Sequence, residues 1–167
     1  SPIVLGSGEV FFEAVTRGNP QKQYIIGVDP ASEVDNFSIV VLELHEDHRR
    51  VVYSWTTTRE RHRDTLKANL TSEDNFYAYC ARKIRDLMKV FPTVEIALDP
   101  MGGGVTVMEA LHDKDKIQDK ELSIWPIIDP EKSAPTDDEP GLHIIRLCNF
   151  SSAQWNGEAN HGLRKDM

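Results

Sequence analysis

Three short apolar runs follow one another between residues 24 and 56, and a helical pattern begins only after them. Tyr24-Ile25-Ile26-Gly27-Val28-Asp29 is closed by Pro30, the pattern of a buried strand that ends in an acid. Residues 38–44 form a second run rich in β-branched side chains, and residues 50–56 a third. The spacer between these two, residues 45–49, is short enough for a hairpin. Then Phe76, Tyr79, Cys80, Ile84, Leu87, Met88 and Phe91 recur at helical spacing, with Thr71 and Ser72 available as N-caps and Pro92 as a stop. A fourth run, residues 94–98, is again followed by Asp-Pro, and the glycines at 102–104 turn the chain into a short helix near 105–112. Residues 123–128 and 142–147 read as two more strands around a loop that carries Pro130, Pro135 and Pro140. A final helix is expected from Ser151. Residues 1–22 hold Gly6, Gly8, Gly18 and Pro20 with little periodicity and read as a lead-in or linker, leaving 23–167 as the folded domain.

The expected order is therefore β-β-β-α-β-α-β with one more strand and helix, an α/β class with a central mixed β-sheet flanked by helices. Three consecutive strands and then a crossover helix to a strand resemble the ribonuclease H-like fold. A chain of 167 residues is long enough to bury a core of its own. No apolar run approaches the ~18 residues of a membrane span, and the first residues lack the basic flank of a secretory signal. Cys80 and Cys148 each sit in an apolar stretch and form neither a disulfide framework nor a zinc pattern, so a reducing compartment is expected.

Chemistry concentrates where an apolar strand ends in a carboxylate, at Asp29 and again at Asp99. Such an end places charge at the carboxyl edge of a sheet, where α/β proteins build their sites. If the two strands are neighbours, both carboxylates enter one cleft and repel unless a cation neutralises them. Oxygen ligands alone suit Mg²⁺ or Mn²⁺ rather than zinc, and two such ions activate a water against a phosphodiester. The plain alternative is that Asp-Pro simply ends strands, since both residues favour turns.

Charge distribution bears on the partner. The net charge is −8, which by itself argues against nucleic acid. Residues 49–67, however, carry six Arg or Lys against two acids, while residues 113–140 carry nine acids against four lysines. Arg59, Arg61, Arg63 and Lys67 are placed to track phosphates, or else form an exposed loop. His62 and His161 are candidates for a general base or a phosphate contact, with a plain surface role as the alternative, and Asp47 reads as solvated. Trp55, Trp125 and Trp155 read as core. The acidic loop 129–140 has a gating role open to it through repulsion of DNA. The triple glycine lacks the Lys and hydroxyl of a phosphate loop and reads as a close-approach turn, so no ATP site is expected.

Ile26-Gly27-Val28-Asp29-Pro30-Ala31, Asp35, and Ala97-Leu98-Asp99-Pro100-Met101-Gly102-Gly103-Gly104 resemble the nuclease domain of bacteriophage large terminase subunits. Pro140-Gly141-Leu142-His143-Ile144-Ile145 and the tail from Trp155 through Glu158 to Asp166 resemble one branch of that family. The resemblance covers most of the chain from Tyr24 onward. It implies an endonuclease dependent on two divalent cations, Mg²⁺ or Mn²⁺, that cuts concatemeric viral double-stranded DNA during packaging. Asp29 and Asp99 would be the catalytic metal ligands, with Asp35 assisting through a water. The implied partners are DNA, an ATPase motor domain, a small terminase subunit and a portal, with no membrane, in the cytoplasm of an infected bacterium. The family carries a third metal-binding acid on a late helix. Asp166 is the candidate here, or that acid lies past Met167 and the C-terminal end is incomplete. Family members add an ATPase motor with a Gly-rich phosphate loop, which this sequence lacks, so the chain looks like the excised nuclease half. Two other readings remain open: a non-catalytic module that docks on DNA or a portal, and a dimeric resolvase or integrase of the same fold.

Overall fold

The computed structural model describes residues 2–5, 10–13, 15–33, 36–61 and 73–149. Among them a six-stranded mixed sheet is built from β3 (Tyr24–Glu33), β4 (Asn36–Leu44), β5 (Arg49–Thr58), β6 (Thr93–Leu98), β7 (Ile124–Pro126) and β8 (Leu142–Leu147). Two strands that precede it, β1 (Pro2–Leu5) and β2 (Val10–Glu13), form a separate antiparallel hairpin. Helix α1 spans Glu73–Val90 and α2 spans Gly104–His112, followed by a 3₁₀ turn at Lys114–Lys116. The strand order is β5-β4-β3-β6-β8-β7. The first three strands pair antiparallel, and β6, β8 and β7 continue from β3 in parallel. This is the α/β arrangement expected, a mixed sheet with helices packed on it and an order compatible with a ribonuclease H-like fold.

Burial explains why each strand reads as it does. β3 and β6 occupy the centre of the sheet, and Tyr24, Ile25, Ile26 and Val28 with Ile96, Ala97 and Leu98 are all buried. Central strands covered on both faces are apolar without alternation. β5 lies at an edge and alternates from Tyr53 onward, with Tyr53, Trp55 and Thr57 buried or half-buried and Ser54 and Thr56 exposed, while a register shift against β4 at Val52 lets that residue be buried as well. One face of the sheet, through Ile26, Val28, Ile39, Val41, Ile96, Leu98 and Ile145, meets Phe76, Cys80, Ile84 and Leu87 of α1 and Val107 and Leu111 of α2. Each such fully buried apolar side chain contributes about 1.5–3 kcal/mol. The opposite face holds a smaller cluster of Ile25, Leu42 and Ala97, with Leu44, Val51 and Cys148 against it.

Several boundaries differ from expectation. β3 does not stop at Asp29-Pro30 but continues to Glu33. Its register with β4 slips between the pairs Asp29↔Ser38 and Glu33↔Asn36. Proline cannot donate to the ladder, so the extra residues are absorbed as a bulge. The segment read as a lead-in contains the β1–β2 hairpin, and residues 15–18 beyond that hairpin are tied to the domain. Val15 N–H donates to Val52 O at 3.0 Å, and Gly18 N–H donates to Val90 O at 2.7 Å. The strand expected over 123–128 shortens to Ile124–Pro126. Trp55 and Trp125 are half-buried rather than central. Trp125 stacks on His112 at 3.9 Å and donates its indole N–H to Pro140 O at 3.3 Å. Trp155 and the helix expected from Ser151 lie outside the described residues. Among the described residues no helix is long and apolar enough to cross a membrane.

Candidate metal centre

The two Asp-Pro ends meet. β3 and β6 pair in parallel through Val28↔Leu98, and the next residue on each strand is Asp29 and Asp99. Asp99 N–H donates to Val28 O at 3.1 Å, which fixes this register at the strand ends. Val28 and Leu98 face the main core, so strand alternation directs both carboxylates to the other face. Ser38 pairs with Asp29, and Thr56 pairs with Ser38, their hydroxyl oxygens 3.1 Å apart. On the other side, Cys148 N–H donates to Leu98 O at 2.9 Å, so Cys148 follows Asp99 across the sheet. The resulting row is Thr56, Ser38, Asp29, Asp99, Cys148, with the two acids in the middle.

The two acids are held differently. Asp29 is partly exposed and lies within a strand that continues past it. Asp99 is 3% exposed and ends its strand. One of its carboxylate oxygens, Oδ1, accepts the Met101 N–H at 2.9 Å, starting the turn that leads into α2. Gly102 and Gly103 take φ of 62° and 99°, a region that glycine occupies without strain. Gly104 is needed for another reason: a Cβ there would overlap the Asp99 carbonyl oxygen. The turn that the triple glycine suggested is thus one in which backbone packs directly on the backbone of a site residue.

Cys148 is half-buried and unpaired in any disulfide. Burial pushes its thiol above the ordinary range; Arg146 works against this, and the Glu95 and Asp99 carboxylates add to it. A thiol so held is a poor nucleophile and a poor metal ligand. Among the described residues no group of three His, Cys, Asp or Glu is arranged to hold a metal. Asp35 and Asp166, the other acids considered, lie outside the described residues, as do Arg63, Lys67, His62 and His161.

Of the basic set, Arg59 and Arg61 are described. The Arg59 guanidinium donates to Tyr77 Oη at 2.8 Å and lies 5.1 and 5.3 Å from the Phe76 and Tyr77 ring centroids. It is thus turned onto aromatic side chains. Arg61 is exposed, with its guanidinium donating to Thr56 O at 3.1 Å. Thr56 is the outer member of the row containing Asp29 and Asp99, so Arg61 flanks that row. Asp47 is exposed, and its carboxylate accepts from His48 Nδ1 at 2.6 Å. Tyr77 was not legible as a site residue because it is buried with the core face of α1, beside Phe76, Cys80 and Ala81, and reads as packing. The signal that marks it is an aromatic with a polar tip beside a glycine turn, visible only once the turn is placed.

No protein-family model matches the chain, and a search of curated proteins returns no match.

Proposed function

We propose that this chain is a metal-dependent nuclease domain that hydrolyses phosphodiesters of double-stranded DNA. The observation that carries the reading is the meeting of Asp29 and Asp99 at the ends of the two central parallel strands. Their chemistry fits a hard divalent cation: both donors are carboxylate oxygens, and two acids set side by side are relieved by positive charge. Mg²⁺ or Mn²⁺ would supply Lewis acidity there and acidify a water. Asp29 and Asp99 would bind and orient the ions, Asp99 from a nearly dry position and Asp29 from a position open to substrate. Arg61, exposed beside the same row, would meet a phosphate of the duplex without reading its sequence.

The wider context rests on the resemblance to terminase nuclease domains. It comprises cleavage of concatemeric viral DNA, linkage to an ATPase motor, contact with a small terminase subunit and a portal, and action in an infected bacterial cytoplasm. The test is cleavage of plasmid DNA with Mn²⁺, Mg²⁺ or EDTA by the unsubstituted chain and by Asp99→Asn. Cutting that needs metal and disappears in the variant supports the nuclease. Absence of both cutting and metal binding sinks it and leaves a docking module.

A further inference from the structure

A line of contacts leaves the Asp99 turn and ends on the basic segment. The Tyr77 hydroxyl donates to Gly102 O at 3.0 Å and accepts from Arg59 Nη2 at 2.8 Å. Tyr77 itself is 5% exposed and packs on Phe37 and Phe76. Gly103 lies so close beneath it that a Cβ would overlap the tyrosine ring and hydroxyl. Gly102 follows Met101, whose N–H is the donor to Asp99 Oδ1. The residue that was expected to touch phosphate is therefore joined, through one phenol, to the turn that orients a carboxylate of the candidate site.

We infer that Arg59 and Tyr77 are positioning residues, which fix the rotamer of Asp99 by holding the 101–104 turn. The consequence for catalysis rests on the nuclease reading; the hold on the turn does not. Arg59 directly follows β5, inside the basic segment 49–67, so the relay joins that segment to the candidate acid Asp99.

Tyr77→Phe removes one hydroxyl and keeps the ring, and Arg59→Gln and Arg59→Lys separate loss of charge from loss of shape. The first readout is amide hydrogen exchange by NMR. Exchange at Met101 should quicken about 10-fold in Tyr77→Phe and Arg59→Gln, less in Arg59→Lys, with Ile84 and Ile96 amides unchanged. The second is Mn²⁺ affinity, expected to weaken about 10-fold in the same order, as for groups that orient a metal ligand. Unchanged exchange at Met101 in both main variants overturns the inference. So does quickened exchange spread evenly over the core, since that reports a merely structural role. If the unsubstituted chain neither binds Mn²⁺ nor cuts DNA, the nuclease reading fails alone, and the exchange data still decide the positioning role.

Discussion

Asp-Pro occurs three times in the chain, and the two copies that follow the central strands β3 and β6 do different work. At Asp29-Pro30 the strand carries on through a bulge to Glu33, the acid is partly open, and its neighbours across β4 and β5 are the small hydroxyl residues Ser38 and Thr56. At Asp99-Pro100 the strand stops, the acid is nearly buried, and the backbone folds over it into a glycine turn and a helix. The difference comes from the residues after each proline. Ala31-Ser32-Glu33 can extend beside β4, whereas Gly102, Gly103 and Gly104 permit positive φ and backbone contact. The Asp99 end is also fixed from afar. α2, which begins at that turn, has one carbonyl of its last turn, Leu111 O, bound by the Arg85 guanidinium, which also donates at 2.8 Å to Leu122 O in the segment beyond the helix. One end thus holds its carboxylate rigidly and the other leaves its carboxylate approachable.

The largest effect should be common to both ends. Asp29→Asn and Asp99→Asn should each lower metal-dependent cleavage by about 100-fold or more, measured as plasmid nicking rate. Neither should disturb folding much, because asparagine at 99 keeps an acceptor for the Met101 N–H and Asp29 is partly exposed. A variant that retained full activity at one end would break the pairing of the two.

Stability should then separate the ends. Gly104→Ala forces a methyl onto the Asp99 carbonyl and should cost about 2–4 kcal/mol in urea unfolding. Pro30→Ala, at the end where a bulge already absorbs the irregularity, loses ring packing and should cost about 1 kcal/mol. Equal costs would show that the two ends are held alike.

A smaller effect tests the distant anchor of α2. Glu121 receives Arg82 at 2.7 and 2.9 Å and Lys89 at 3.2 Å, closing the loop that returns from α2. The Arg82 hydrogen bonds, opposed by desolvation, hold this carboxyl well below the ordinary glutamate range. A depressed folded value stabilises the fold above the unfolded value, near 4.5, and this contribution is lost as pH falls through the folded value. Glu121→Gln should therefore cost about 1–2 kcal/mol near neutral pH. Its gap from the unsubstituted chain should narrow as the solution is acidified below about 4.5. A gap independent of pH would mean the carboxylate charge is not what anchors the loop.

How much of this was legible before any coordinates depended on how local its cause was. The central runs at 24–29 and 94–98 and the stripe of α1 follow from apolar pattern alone, and their order permits the pairing of β3 with β6 that sets Asp29 beside Asp99 without fixing it. The glycines at 102–104 announced a close backbone approach, although not what was approached. The extension of β3 past Pro30 was not legible, because a bulge is decided by pairing with β4 rather than by the strand itself. The hold on residues 15–18 was hidden for a similar reason, since it consists of main-chain hydrogen bonds to Val52 and Val90 that have no sequence signature. Charge alone left Arg59 between phosphate contact and an exposed loop; its direction is set by Phe76 and Tyr77, which reach it only in the fold.

The most direct test of the account is titration of Mn²⁺ into the unsubstituted chain, Asp29→Asn and Asp99→Asn, monitored by electron paramagnetic resonance of the free ion. If the two Asp-Pro ends form one site, the unsubstituted chain binds Mn²⁺ and each single substitution weakens that binding at least about 10-fold. Binding that either variant retains in full would place the ion elsewhere, and would leave Asp29 and Asp99 as two strand ends that happen to be neighbours.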